Sequence, residues 1–188
     1  MLALQLSLKG TPCLYQGDEL ALPEADVPYE LLQDPYGITF WPEFKGRDGC
    51  RTPMPWTAEA PNAGFTSGKP WLPVPAEHLA LNAEAQDKDP QSALNFARTI
   101  IHWRRTLPQI TRGEIAFFDV PEQALALRRD LAGYPSVLAV FNVTNAPLTF
   151  EWLDAAGAQA LAGHGLQGDV SGTTVTLPPY GGWFGTRA

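Results

Sequence analysis

Gly46-Arg-Asp-Gly-Cys-Arg-Thr-Pro-Met-Pro-Trp56 is the stretch on which the reading of this chain turns. Pro53 and Pro55 each lack an amide donor and fix their own φ, so the segment cannot continue a helix. Proline is confined to sheet edges and bulges, which argues against a strand as well. What remains is a stiff loop that carries Arg47, Asp48 and Arg51 and closes on the indole of Trp56. Planar, permanently charged guanidinium forks beside an aromatic ring suit a polar, hydroxyl-rich ligand. An ordinary surface loop with a local ion pair has the same composition, and the loop by itself leaves both readings open.

Outward from the loop, 188 residues allow one large domain or two small ones, and 45% hydrophobic residues mark a globular chain. The formal charge of −7 argues against a nucleic-acid partner, because phosphate binding needs clustered cations. The adjacent pairs Arg104-Arg105 and Arg128-Arg129 read as solvated helix or strand edges. Two cysteines form neither a disulfide framework nor a metal site. Cys13 reads as buried packing and Cys50 as an inert thiol, which suits a cytoplasmic setting. No apolar run is long enough to span a bilayer, and the leading Met-Leu-Ala-Leu-Gln-Leu-Ser-Leu is too short for a signal peptide. Neither a cofactor nor a membrane partner is implied. Glu24, Asp26, Glu30 and Asp34 lack calcium-loop spacing, so no metal is assigned.

Leu2, Leu4, Leu6 and Leu8 alternate as a strand would, while Lys9-Gly10 has the look of a helix C-terminus. Thr11 to Tyr15 reads as a short apolar strand of the kind buried on both faces. Leu20 to Asp89 shows no periodicity. Trp41, Phe44, Trp56, Phe65 and Trp71 have large surfaces to bury, which favours an ordered lid over disorder. A helix follows, capped by Asp89 with Pro90 in its first position and stopped by Pro108. Its apolar face is Ala93, Phe96, Ala97, Ile100 and Leu107, with His102 on the solvated side. Strands are expected at Glu114–Val120, Ala124–Arg129, Ser136–Asn142, Leu148–Trp152, Thr173–Leu177 and Gly182–Thr186, which make a small antiparallel β-sandwich. Gly157 to Gly172 reads as loop, and His164 within it receives no role.

Three islands then occur in order: Gly10-Thr-Pro-Cys-Leu-Tyr-Gln-Gly-Asp-Glu19, Gly46 to Trp56, and Ala63-Gly-Phe-Thr-Ser-Gly-Lys-Pro-Trp71. Together they resemble the C-terminal part of α-glucosidases of the α-amylase superfamily of glycoside hydrolases, with oligo-1,6-glucosidases among their relatives. The resemblance makes Leu2–Leu8 helical. It implies that residues 1–110 are the end of a (β/α)8 barrel (last strand, long loop, last helix) and that 111–188 form the β-sandwich. The strand exit at Tyr15-Gln16-Gly17 favours the glucosidase branch over trehalose synthases. Pro55 stands where such loops usually carry Gln, and Cys13 replaces a commonly aromatic or aliphatic residue.

Retaining enzymes of this kind flank the glycosidic bond with two carboxyl groups. The resemblance places these, and a third stabilising carboxylate, before Met1, so the chain is expected to be inactive alone and to contain no catalytic residue. Its expected partner is a small oligosaccharide or α-glucoside bound by the complete enzyme. By resemblance one loop arginine reaches the glucose pocket, Arg47 in first place and Arg51 in second. Asp48 reads as the ion-pair partner that fixes the loop. Asp18 and Glu19 are adjacent, so on a strand they point to opposite faces and cannot flank one bond. They read instead as groups that orient the arginines. Tyr15, Gln16 and Trp56 are candidates for the pocket rim, although anchoring the loop is the more natural task for Trp56 and Trp71. The competing readings are a non-catalytic carbohydrate-binding or interaction module and a non-functional relic.

Overall fold

The computed structural model describes residues 1–187, and contacts divide the chain into two compact units. One comprises Met1–Cys13 with Arg98–Ala188, the other Leu14–Ala97. The helices are α1 (Leu2–Ser7), α2 (Pro35–Thr39), α3 (Ala76–Leu79), α4 (Ala83–Lys88), α5 (Ala93–Arg105) and α6 (Pro108–Arg112). The strands are β1 (Glu114–Phe118), β2 (Ala124–Asp130), β3 (Ser136–Asn142), β4 (Leu148–Glu151), β5 (Gln159–Ala160), β6 (Asp169–Ser171), β7 (Thr174–Leu177) and β8 (Gly182–Arg187). No helix among the described residues is long and apolar enough to cross a membrane.

In the first unit the strands form two antiparallel sheets, ordered β1-β2-β3-β8-β5 and β4-β7-β6. The side chains alternate across each strand, so Leu138 and Val140 of β3 and Trp183 of β8 face one way. They share a core with Val175 and Leu177 of β7 and with Trp152. Both sheets therefore close over one apolar interior, consistent with the expected sandwich. Ala139, Phe141 and Phe184 occupy the opposite face, where Phe184 meets Phe141 at 5.6 Å and Trp103 of α5 at 4.6 Å between ring centroids. Cover on both faces explains why β3 reads as an unbroken apolar run instead of an alternating one. Each fully buried side chain of this size contributes roughly 1.5–3 kcal/mol. The Trp183 indole lies across Gly185, where an added Cβ would sit 2.0 Å from the ring, so only glycine allows that packing.

Six strands fall within a residue or two of expectation. β5 and β6, in the stretch expected as loop, do not. They are only two and three residues long and sit at the edges of their sheets, too short for a period-2 pattern to show. His164 is buried between Trp103 and Phe184, and burial lowers its pKa, so the ring packs as a neutral group. Thr11 to Tyr15 forms no strand, since a strand exists only through ladder partners and none of the described segments pairs with it. Cys13, expected to be covered on both faces there, is accordingly exposed.

The largest correction concerns Arg129. It is 1% exposed, the bulkiest fully buried side chain among the described residues. Its guanidinium donates to the Ser7 carbonyl at 2.7 Å, to Gly113 at 2.7 Å and to Glu114 at 3.3 Å. β2 thereby holds the end of α1 and the entry to β1. Arg104 of α5 adds a bond to the Leu6 carbonyl at 2.8 Å. A guanidinium was expected at a solvated edge because sequence does not reveal where free carbonyls end.

The second unit consists of short helical pieces and turns. Contrary to expectation, its large rings do not supply its core, since Tyr36, Trp56, Phe65 and Trp71 are all at least half exposed. Val27, Leu32 and Leu72, with Trp41 against them, make a small cluster. Main-chain bonds do more: Trp56 and Thr57 donate to Ala63, Ala83 to Pro55, and Glu84 to Trp56. The Gln86 side chain donates to Leu20 and Leu81 and accepts from the Leu94 amide. α5 begins three residues later than expected. Ser92 accepts from the Asn95 amide, while Asp89 closes a separate turn with Gln91. Ala97 and Ile100 are buried and His102 is exposed, as the helical spacing requires.

Replacing Arg129 by Met keeps most of its volume but leaves three carbonyls without their donor. The expected loss is about 3 kcal/mol or more of unfolding free energy, read from urea denaturation followed by circular dichroism. An unchanged midpoint would remove Arg129 from its structural role.

Candidate functional site

The loop from Gly46 to Trp56 is held by two buried aspartates. Asp34 caps α2, its Oδ1 accepting from the Tyr36 amide at 3.0 Å with Pro35 in the first turn. Its Oδ2 accepts from the Arg47 amide at 3.0 Å. Asp48 is 0% exposed, and its Oδ2 accepts from the Gln33 and Asp34 amides at 2.6 and 2.7 Å. The two carboxylates reach across each other's segments and stitch α2's start to the loop. Gly49 packs against the Ala25 main chain so closely that a Cβ would lie 2.3 Å from the Ala25 carbonyl oxygen, while that residue's amide donates to Gly49.

Both arginines gather at these carboxylates. Arg47 Nε lies 3.6 Å from Asp34 Oδ2, with two thirds of its side chain exposed. One amino group of Arg51 lies 3.5 Å from the same oxygen and 3.9 Å from Asp48 Oδ1, its side chain 30% exposed. Asp48 Oδ1 has no hydrogen-bond donor of its own, so Arg51's charge is its compensation. These contacts are long, and most of the N–H groups on both forks remain available.

Tyr15, Gln16 and Asp18 line a cavity of about 90 Å³ together with Gly49, Cys50 and Thr52 of the loop. The Asp18 carboxylate accepts from the Tyr15 amide at 2.9 Å, and Glu19 from the Gly17 amide at 2.9 Å. Both therefore shape the turn at 15–19 through its main chain, and neither makes an ion pair with Arg47 or Arg51 among the described residues. Trp56 fixes the loop through its amide and carbonyl, while its indole is 51% exposed. The Cys50 thiol is exposed and donates to the Arg47 carbonyl at 3.1 Å.

Two residues were missed. Asp34 had a legible signal in the Asp-Pro pair that starts a helix. His78 had none. It is buried, its Nε2 lies 2.8 Å from the Pro23 carbonyl, and its Nδ1 lies 3.5 Å from Thr52 Oγ1. A carbonyl only accepts, so Nε2 donates to it, while Nδ1 faces the Thr52 hydroxyl.

Residues 1–113 match the family described as alpha amylase, catalytic domain. Across 99% of its length the chain is 42% identical to a probable alpha-glucosidase of Rhizobium meliloti, of which it covers 33%. It is 31% identical over 77% of its length to a probable oligo-1,6-glucosidase of Bacillus subtilis, covering 29% of that protein. Among solved structures, the alpha-glucosyl transfer enzyme XgtA superposes with a TM-score of 0.94 at 46% identity, over the whole chain and 35% of XgtA. The trehalulose synthase MutB of Pseudomonas mesoacidophila superposes at 0.83 with 26% identity, over 98% of this chain and 37% of that one. The chain thus spans about a third of the length of these relatives.

The Arg47 amide holds the Asp34 carboxyl below the usual aspartate range. Burial opposes that effect, and the Tyr36 amide and the Arg51 and Arg47 guanidiniums reinforce it. A lowered folded value contributes order above the ordinary range, and that order is lost as pH falls through the lowered value. Limited proteolysis across the loop is therefore expected to accelerate on acidification below pH about 4. Asp34→Asn should cleave fast already at neutral pH, with little further change in acid. Equal cleavage of both proteins at every pH would show that Asp34 does not hold the loop.

Proposed function

Because this chain belongs to the α-amylase family of glycoside hydrolases, we propose that it is the substrate-gripping C-terminal part of a retaining α-glucosidase. The substrates are short α-linked glucosides. In this reading residues 1–110 end a (β/α)8 barrel, 111–188 are the β-sandwich, and the three catalytic carboxylates lie outside the chain. Asp18 and Glu19, its tempting adjacent pair, are spent on main-chain amides. The chain alone should leave p-nitrophenyl α-glucoside intact. The free thiols at Cys13 and Cys50 suit a cytoplasmic enzyme.

The observation that carries the reading is a rigid loop presenting two guanidiniums whose donors are largely unspent. Sugar hydroxyls on adjacent carbons present paired acceptors that a planar fork matches. Arg47 was placed first from the sequence, but the geometry supports Arg51 at least as strongly. Two buried carboxylates orient it, whereas Arg47 extends into solvent. Asp48 sets the loop in either case, and Asp18 and Glu19 keep the turn that brings Tyr15 and Gln16 to a cavity shared with Gly49, Cys50 and Thr52 of the loop. Trp56 offers an exposed ring beside it in sequence.

The 46% identity to a glucosyl-transfer enzyme supports a second reading, in which a sugar hydroxyl and not water accepts the glucosyl group. Product analysis from maltose separates the two, since glucose alone marks hydrolysis and longer saccharides mark transfer.

In the complete enzyme, Arg51→Ala is expected to lower kcat/KM by roughly 10- to 100-fold. That is the loss of a charge-assisted hydrogen bond worth roughly 1.5–3 kcal/mol. Arg47→Ala ranks the two arginines. Wild-type kinetics in both variants would end the gripping role of this loop.

A further inference from the structure

Outside the loop, the first unit holds a second built cavity, of about 390 Å³. Lys9, Arg104, Arg112 and Arg129 line it together with Gly10 and Thr11. Four cations at one cavity are unexpected in a chain whose formal charge is −7. Among the described residues Glu114 is the carboxylate that pairs with this group, and it is engaged with Lys9.

The cations differ in how they are satisfied. Arg129 spends three of its five N–H groups on carbonyls, and Arg104 bonds the Leu6 and Gly10 carbonyls. Carbonyl dipoles solvate a guanidinium but leave its full charge in place. Arg112, at the end of α6, is exposed and makes neither a side-chain hydrogen bond nor an ion pair among the described residues. Like charges are also close enough to matter: burial first, and the Arg104 charge second, lower the pKa of Arg129, against a raising effect of Glu114. Crowded like charge with spare N–H donors is relieved by a multiply charged oxyanion, which accepts several such bonds at once.

We propose that this cavity binds a phosphate group, separately from the arginine loop. Arg112 and Lys9 contact the oxygens from the rim, and Arg104 and Arg129 supply charge from the floor. The volume exceeds that of one phosphate and falls in the range of small-molecule sites, so the phosphate belongs to a small phosphorylated metabolite and not to the free inorganic ion.

Isothermal titration calorimetry of the complete enzyme tests this, with inorganic phosphate and glucose 6-phosphate as probes and sodium chloride at matched ionic strength as control. Saturable binding, tighter for glucose 6-phosphate, is the expected result. Arg112→Gln should weaken it about tenfold, the worth of one charge-assisted bond, while Arg112→Lys recovers part of the loss. Because Arg112 is exposed and unpartnered, both variants should keep the wild-type melting temperature without ligand. A second substitution, Lys9→Gln, should weaken binding further. No saturable heat from either probe, the same heat from chloride, or equal affinity in Arg112→Gln would overturn the proposal. Tighter binding of inorganic phosphate would overturn the assignment to a metabolite.

Discussion

A charge withdrawn from water must be solvated again by the protein, and here the main chain does it. Arg129 is met by carbonyls, and Asp34 and Asp48 are met by amides. Leaving such groups unmatched costs several kcal/mol each, so the arrangement is sensitive to position. It also acts at long range in sequence. Ser7 and Arg129 are 122 positions apart, and Gln33 reaches Asp48 across 15. Each buried charge gathers segments that are distant in sequence.

This explains which parts of the molecule were legible in sequence. β3 and β8 follow from local pattern, because a short apolar run bounded by turn residues is what a strand covered on both faces leaves in the sequence. α5 was equally plain from its buried face, although its first turn was misplaced by Asp89-Pro90, which closes a turn of its own. β5 and β6 are held by neighbours and not by their own composition. Thr11 to Tyr15 shows the reverse: an apolar run that looks like a strand and has no ladder to join among the described residues.

The site was legible to a similar depth. Its position came from prolines and glycines that exclude regular structure, and its chemistry from Arg47 and Arg51. The partners of those arginines were not legible, because hydrogen bonds from a carboxylate to distant amides leave no periodic trace. Asp34 was visible only as a helix cap. His78, on a four-residue helix with no repeating pattern, was invisible. The exposed rings were misjudged for a related reason. Trp56 and Trp71 were taken to order the loop, whereas its order comes from main-chain bonds and two aspartates.

In the proposed gripping role of the loop, that division sets what binding would disturb. At 3.5–3.9 Å the contacts between the forks and the carboxylates are longer than good hydrogen bonds, so they are not what chiefly holds the loop. The amide hydrogen bonds to Asp34 and Asp48 hold it, and one of them occupies Asp34 Oδ2, the oxygen nearest both guanidiniums. Rigidity and binding capacity thus rest on different atoms of the same residues. The backbone at Arg47 is fixed by Asp34 while its side chain stays extended in solvent, and Arg51 is aimed without being saturated. A ligand that takes up these N–H groups need not break the bonds that keep the loop in place. The cost of ordering the site is met during folding, and it does not recur at each binding event.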